Sequence, residues 1–440
     1  MIDIDDREKI IGDSRLEDLK ERKRALLVGC YFNSKDKEKA IEHLDELEEL
    51  CDTYGVDVID KMPVMLKKII SATFIGSGKA LEIEETCTQE NVDIVIFDDE
   101  ISPHQQRNLE KVLKIPVIDR TELILGVFAK RAKTNEAKIQ VDLAKCKYQF
   151  PRLKRMWTHL SRQRMSGKGG GHLKGEGEKQ IEIDRRILKR KISKLKKDLE
   201  DIKKQRVLHR KSRERKNIPT FAIIGYTNAG KSTLLKLLTD ADVFVEDKLF
   251  ATLDTTTRKF ILPNKQEILL TDTVGFIRKL PHTLVASFKS TLEEVFYSDI
   301  LIHIIDISSE HVMEKAEATF EVLKELNSEN KPIITVLNKI DKVENFQEKV
   351  FEFKMKFPKV IAISCNEKIG IDDLIDKIIF AIKNLRKILK LKIPQSNYSL
   401  ASMLIAKGRV VSQEYVDNDI LLEIEIPKNL EKLTLPYQIE

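Results

Sequence analysis

With 440 residues, 77 Lys+Arg against 71 Asp+Glu and 42% hydrophobic residues, the chain has room for roughly two to four domains. Its 34% charged residues beside an ordinary apolar content describe a soluble globular protein, and no run of 18 apolar residues offers a transmembrane helix. Cysteines 30, 51, 87, 146 and 365 are scattered without C-x-x-C spacing or a histidine cluster, which excludes a disulfide framework or zinc site and is expected of reduced cytosolic thiols. The acidic opening Met1-Ile-Asp-Ile-Asp-Asp-Arg-Glu8 has no apolar stretch and does not read as a signal peptide, so a cytoplasmic location is expected.

Residues 1–150 are expected to form an α/β domain. Ala25–Gly29, Val56–Ile59, Val92–Phe97 and Pro116–Ile118 are strand-like, and Lys35–Tyr54 and His104–Leu113 are helix-like. Such alternation argues for a parallel sheet. Gly76-Ser77-Gly78-Lys79 lacks the spacing of a phosphate loop and reads as a strand-to-helix turn. Asp98-Asp99-Glu100 at a strand end reads as a solvated turn rather than a metal site.

Residues 120–215 read as mainly helical, interrupted by a glycine-rich stretch, and 151–215 are assigned to that loop and a basic helical hairpin between the two α/β domains. Between Gly167 and Gly177 there are six glycines in eleven residues, accompanied by lysine and histidine. A flexible linker is one reading. A backbone-rich loop able to approach a ligand or RNA closely is the other, and the lysines favour it. Downstream, Ile181, Leu188, Ile192, Leu195, Leu199 and Ile202 recur at steps of seven, four, three, four and three. That spacing lays one apolar stripe along a helix. From Arg185 to Lys216 the chain carries sixteen Lys/Arg against four Asp/Glu. So one-signed a helix surface suits phosphates and points to an RNA partner. A membrane surface fits less well, because the stripe is narrow and has no aromatic residue.

The densest information lies at Gly225-Tyr226-Thr227-Asn228-Ala229-Gly230-Lys231-Ser232, which fits G-x-x-x-x-G-K-[ST]. Here backbone N–H groups wrap the phosphates, Lys231 reaches the β/γ-phosphates and Ser232 offers its hydroxyl to Mg²⁺. The apolar run Phe221–Ile224 before it reads as a buried strand. Ser232–Leu238, including Thr233, reads as the helix whose N-terminus faces the anion. Asp272-Thr273-Val274-Gly275 follows another apolar run. Asp272 would reach Mg²⁺ through water, and the Gly275 N–H would face the γ-phosphate. Asn338-Lys339-Ile340-Asp341 supplies a carboxylate for the N1–H and exocyclic amine of guanine, a donor pair that adenine lacks. Ser364-Cys365-Asn366 would support the guanine O6 through backbone N–H groups. Motifs of this kind, each at the carboxyl end of an apolar run, are what a nucleotide site on a parallel sheet requires.

Between the first helix and Asp272 lies Phe250-Ala251-Thr252-Leu253-Asp254-Thr255-Thr256-Thr257-Arg258. A threonine here should complete the Mg²⁺ shell, and composition does not choose among the four. Phe276 stands where Ras-like GTPases carry the glutamine that orients the attacking water. Phenylalanine cannot hydrogen-bond, so slow intrinsic hydrolysis is expected. The water-positioning residue is not identified, and His282 reads as a solvated histidine rather than the base. Residues 216–388 are assigned to this α/β GTPase domain. Residues 389–440 form a small α+β module, with a helix at Tyr398–Ala406 and strands at Arg409–Val411 and Ile420–Ile426.

Taken together these motifs resemble the HflX family of GTPases. The resemblance extends through Ser102-Pro103-His104-Gln105-Gln106-Arg107-Asn108-Leu109, Asp119-Arg120-Thr121, Phe128–Thr134, Gln140–Ala144, Pro151-Arg152-Leu153, Gly177–Arg186, Gly225–Asn228 and Phe250–Asp254. It departs at Asp254-Thr255-Thr256, where the family usually has Asp-Pro-Thr. It departs again at Lys174-Gly175-Glu176-Gly177-Glu178, where the family usually has Arg-Gly-Pro-Gly-Glu. The resemblance selects Thr252 as the Mg²⁺ threonine. It implies a multidomain α/β protein with a P-loop GTPase domain that binds the large ribosomal subunit and its rRNA; a monomer is expected. Family members split stalled ribosomes and are stimulated by them, and some relatives also bind ATP through the N-terminal domain. Alternatives are a large-subunit assembly or RNA-maturation GTPase, and an ATP-driven RNA-unwinding enzyme using the N-terminal domain.

Overall fold

A computed structural model describes residues 23–153, 174–214, 218–239, 246, 248–279, 294–309, 311–325, 328, 330–357, 359–383, 386–427 and 430–439. The chain divides into two compact units. The first holds Met1–Asp201 together with Glu246–Asp254 and Lys279–Lys289, and the second holds Ile202–Val245, Thr255–Arg278 and Ser290–Glu440. Among the described residues no helix is long and apolar enough to cross a membrane.

The first unit is built on strands β1 (Arg24–Tyr31), β2 (Asp57–Met65), β3 (Ile94–Phe97) and β4 (Val117–Asp119), all parallel, in the order β2-β1-β3-β4. The central run Ile94-Val-Ile-Phe97 is buried throughout, as expected of a strand covered on both faces. Helices α1 (Lys37–Tyr54) and α4 (Arg120–Arg131) pack together on one side. On the other, α2 (Ser77–Gln89) and α3 (Pro103–Leu113) close over Leu26, Val28, Val95 and Phe97. Two of the starts follow directly from their sequences. α3 opens on a capping box, in which the Ser102 hydroxyl accepts from the Gln105 N–H while the Ser102 N–H donates to the Gln105 side chain, with Pro103 in the first turn. Asp119 ends β4 and caps α4 by accepting from the Glu122 N–H at 2.9 Å. Of the turn expected at Gly76–Lys79, only Gly76 lies outside the helix, as its N-cap; Ser77, Gly78 and Lys79 already form the first turn of α2.

Helices α5 (Asn135–Gln149) and α6 (Lys174–Glu214) complete this region. α6 begins at Lys174, so Gly175 and Gly177 lie inside a helix rather than in the glycine-rich loop, and Gly167–Gly171 fall outside the described residues. The anticipated stripe is used. Leu188 and Leu195 are buried against Leu143, Cys146 and Leu153, with Ile192 and Leu199 beside them. We expect Leu188→Ala to cost about 2–5 kcal/mol, read as a lower urea midpoint. A loss below about 0.5 kcal/mol would mean that the stripe does not seat the helix.

The second unit carries a sheet of order β10-β9-β8-β5-β7-β6, comprising β5 (Thr220–Gly225), β6 (Thr256–Ile261), β7 (Glu267–Asp272), β8 (Ile300–Asp306), β9 (Ile333–Asn338) and β10 (Ile361–Ala362). All neighbours are parallel except β6, an antiparallel edge strand on β7. Helices α7 (Lys231–Thr239) and α10 (Ile371–Lys383) cover one face through Leu234, Leu235, Leu374 and Ile378. Helices α8 (Val312–Glu325) and α9 (Phe346–Lys356) cover the other through Ala316, Val350 and Phe353.

The C-terminal module is a three-stranded antiparallel sheet, β11-β13-β12, under helix α11 (Tyr398–Lys407). Strands β12 (Arg409–Val416) and β13 (Asp419–Pro427) extend those expected, and β11 (Arg386–Pro394) is new. In β11 the inward Leu389, Leu391 and Ile393 are buried in the core under α11. The lysines alternating with them make the strand read as a basic run.

Candidate nucleotide-binding site

The phosphate loop spans the end of β5 and the start of α7. Gly230 has φ +100°, and a Cβ there would lie 2.3 Å from the Asn338 side-chain nitrogen, so glycine is required on both conformational and steric grounds. Lys231 is buried, and its Nζ donates to the Tyr226 carbonyl at 2.6 Å. Burial pushes its ammonium down to about 8, with the nearby Asp272 carboxylate working the other way. Bound phosphate favours the charged form, so the proton is held more tightly in the complex than in the free protein. Nucleotide affinity should therefore stay flat below about pH 8 and weaken towards tenfold per pH unit above it. Titrations with a fluorescent GDP at pH 7, 8 and 9 check this, and a flat response across that range would exclude Lys231 as the titrating group.

Ser232 and Asp272 meet at the start of α7, where the hydroxyl donates to the carboxylate at 2.6 Å. Mg²⁺ takes one or two protein oxygens and fills its shell with water and phosphate. A hydroxyl and a carboxylate side by side fit that ion. Among the described residues no cluster of His, Cys, Asp and Glu forms a closed metal cage.

The D-x-x-G segment lies directly on the loop. The Thr273 hydroxyl donates to the Ile223 carbonyl at 2.7 Å. A Cβ on Gly275 would come within 2.8 Å of the Thr227 methyl and 2.9 Å of the Lys231 Nζ, so only glycine allows this approach. Phe276 is tied to the loop on both sides: its N–H donates to the Gly225 carbonyl at 3.1 Å, and its carbonyl accepts from the Thr227 N–H at 2.8 Å. Its ring is buried. His282 lies outside the described residues.

The guanine motifs converge on Asn338 at the end of β9. Its side chain donates to the Ala229 carbonyl at 2.9 Å and accepts from the Cys365 N–H at 3.1 Å, joining the phosphate loop to the Ser364–Asn366 loop. Lys339 has left-handed backbone, φ 66°, and its ammonium pairs with Asp306 at 2.7 Å. Asp341 is exposed, so its carboxylate is open to a base. The Ser364 hydroxyl accepts from the Glu367 N–H at 3.1 Å and shapes the second loop. Burial pushes the Cys365 thiol up to about 12, and the Asp341 carboxylate adds to this, so the thiol stays protonated.

Two residues were not anticipated. Asp306 ends β8 and orients Lys339 while also accepting from the Ser308 N–H at 2.9 Å. An acidic residue closing an apolar strand was the available signal. His303 is buried in β8 beside Phe320, and burial together with the Lys231 charge pushes it down to about 3, so it stays neutral.

The stretch Phe250–Asp254 groups with the first unit. The Phe250 ring sits edge-on to Phe128 with centroids 4.6 Å apart. The Asp254 carboxylate accepts from the Lys133 N–H at 3.1 Å, from the Thr134 N–H at 3.2 Å, and from the Thr134 hydroxyl, at the start of α5. Leu253 is buried and Ala251 and Thr252 are half-buried. Thr256 and Thr257 belong to β6, where the Thr257 and Thr271 hydroxyls lie 3.0 Å apart.

Three family models match in chain order. They are described as GTP-binding GTPase N-terminal over residues 41–129, GTP-binding GTPase middle region over 131–213, and 50S ribosome-binding GTPase over 220–339. GTPase HflX of Chlamydia pneumoniae is 47% identical over 415 residues, covering 94% of this chain and 88% of the relative. GTPase HflX of Escherichia coli K12 is 39% identical over 406 residues, covering 92% of this chain and 93% of the relative. A solved GTP-binding protein from the hyperthermophilic archaeon Sulfolobus solfataricus, in complex with GDP, is 28% identical. It covers 82% of this chain and 99% of that one with a TM-score of 0.44, and superposition at that score adds nothing to the assignment. Near-full-length relatives sharing so many residues, with the phosphate and guanine motifs on one parallel sheet, establish that this chain belongs to the HflX family of GTPases.

Proposed function

We propose that the chain is a Mg²⁺-dependent GTP hydrolase, slow by itself, that docks on the large ribosomal subunit in the cytoplasm and uses GTP to split stalled ribosomes. The observation that carries this reading is the basic helix. Arg186, Lys189, Arg190, Lys194, Lys196 and Lys197 are exposed along α6, while Leu188 and Leu195 anchor its other side. A rigid row of cations suits the phosphates of a folded RNA. The family description of the nucleotide domain as a 50S ribosome-binding GTPase agrees with it.

In this reading Gly225–Thr233 hold the phosphates, Asp341 reads guanine, and Ser364–Asn366 shape its pocket. Ser232, Thr252 and, through water, Asp272 would hold Mg²⁺, which neutralises charge on the β- and γ-phosphates. GTP would order residues 250–258 and 272–283, of which 280–283 lie outside the described residues, through contacts to the γ-phosphate. Attack of water on the γ-phosphorus breaks its bond to the bridging oxygen, and departing phosphate releases the Gly275 N–H. Phe276 offers no group to orient that water, so a partner supplies it and the free protein turns over slowly.

Sedimentation of 70S ribosomes with the protein and a non-hydrolysable GTP analogue tests this. Conversion to free subunits with the protein on the large one, absent with GDP or an ATP analogue, is expected. Binding to large subunits without splitting would transfer the role to subunit assembly. ATP turnover that survives Lys231→Ala would point instead to an ATP-driven activity of the N-terminal domain.

A further inference from the structure

The sheet of the first unit has its own crevice. Chain order sends β1 to β2 on one side, while β3 and β4 follow on the other, so the carboxyl ends of β1 and β3 flank a topological switch point. In open parallel sheets that is where ligands sit. Asp98 immediately follows β3 there, with its N–H bonded to the Val28 carbonyl at 2.9 Å. Its carboxylate is 2% exposed, and it meets Arg120 at 2.7 Å and the His43 ring at 3.8 Å. Arg120 also pairs with the buried Glu46, so one guanidinium serves two buried carboxylates, with Asp99 next to them.

The second cation comes from far along the chain. The Lys279 Nζ lies 2.6 Å from Asp98 and 2.7 Å from Asp99. The ammonium is thereby held above its usual range: burial lowers it, and the two carboxylates more than offset that. For Asp98, burial raises the carboxyl, but Arg120 and Lys279 together bring it below its usual value. Lys279 also has φ 51°, a left-handed backbone that costs about 1 kcal/mol or more in a non-glycine residue and persists where other contacts enforce it.

Lys279 is four residues beyond Gly275. The intervening Phe276 is bonded to the phosphate loop, and the Arg278 N–H donates to the Tyr226 hydroxyl at 2.7 Å. Along the chain only Phe276, Ile277 and Arg278 separate Gly275 from Lys279, and four residues span at most about 14 Å of backbone. We propose that the acidic crevice at the ends of β1 and β3 is the seat of Lys279, and that this intramolecular ion pair couples the nucleotide-dependent state of the Asp272–Gly275 segment to the N-terminal sheet. The coupling rests on GTP binding by the phosphate loop, and by linkage it is reciprocal: whatever vacates the crevice alters nucleotide preference.

The test uses the full chain and three variants: Lys279→Met, Asp99→Lys, and Lys279→Glu combined with Asp99→Lys. Asp99 is chosen over the buried Asp98 so that the fold survives. Affinities for GDP and for a GTP analogue are measured first. Amide hydrogen exchange over residues 94–102 is then compared between the two bound states. The expected result is an exchange rate that differs several-fold between the two states in the wild type. Each single variant should abolish that difference, and the charge-swapped pair should restore it. If Lys279→Met binds both nucleotides and keeps the wild-type difference, the coupling is overturned while the nucleotide reading stands. If the wild type binds both and shows no difference, the coupling is likewise wrong. Failure of the wild type to bind either nucleotide would overturn both.

Discussion

Lys231→Ala should cost GTP and GDP about 3–5 kcal/mol of binding, the penalty for leaving a desolvated charge without its partner. That is roughly a 150- to 4,000-fold weaker Kd. The free protein should keep its fold, because in the absence of phosphate Lys231 is a buried cation whose burial lowers it to about 8. Removing it leaves the Tyr226 carbonyl without that donor but also removes a desolvation cost. The two effects oppose each other, so a small shift in melting temperature should accompany a large loss of affinity. Calorimetric titration with GDP and a thermal melt of the free variant check this pair of results. A Kd within a few-fold of the wild type would show that the phosphates bind elsewhere.

Asp341→Asn should produce the second large effect. In the proposed reading the exposed Asp341 carboxylate accepts two hydrogen bonds from guanine, each worth about 1.5–3 kcal/mol when one partner is charged. Asparagine offers an amide donor in place of one acceptor, which suits the carbonyl of xanthine. GDP should weaken by roughly 100-fold or more, and XDP should gain until the preference reverses. Asn338 and Lys339 are left in place by this change, so phosphate binding persists and the loss is specific to the base. Competition between GDP and XDP for a labelled nucleotide measures it, and unchanged guanine selectivity would remove Asp341 from base recognition.

Much of the second unit was legible in its sequence. Gly230, Lys231, Ser232 and Asp272 occupy positions whose spacing reflects local backbone demands, and the strands expected before the motifs appear as β5, β7, β9 and β10. The parallel sheet of the first unit was legible for the same reason, since a run such as Ile94–Phe97 is apolar throughout only if both faces are covered. The apolar stripe of α6 was equally plain at Leu188 and Leu195. β11 escaped because its outward lysines dominate its composition, although the alternation at Leu389, Leu391 and Ile393 is that of a strand with one buried face.

Asp98-Asp99 was misread for a different reason. A solvated turn is the natural reading of adjacent carboxylates, but Asp98 is buried and bonded to Lys279, which is 181 positions away. No local pattern carries a pairing at that separation. The same holds for Glu246–Asp254, whose Phe250 and Asp254 pack with Phe128 and Thr134 of the first unit. The sequence by itself determined the phosphate loop, the guanine motifs, the α/β sheets and the basic helix, because backbone conformation and burial periodicity are written in residues close along the chain. Only the tertiary structure decided that Phe276 lies buried with its backbone on the phosphate loop, and that Asp98 and Asp99 receive Lys279. Those arrangements are set by which distant charges and surfaces can be desolvated together, a condition that spacing along the chain does not encode.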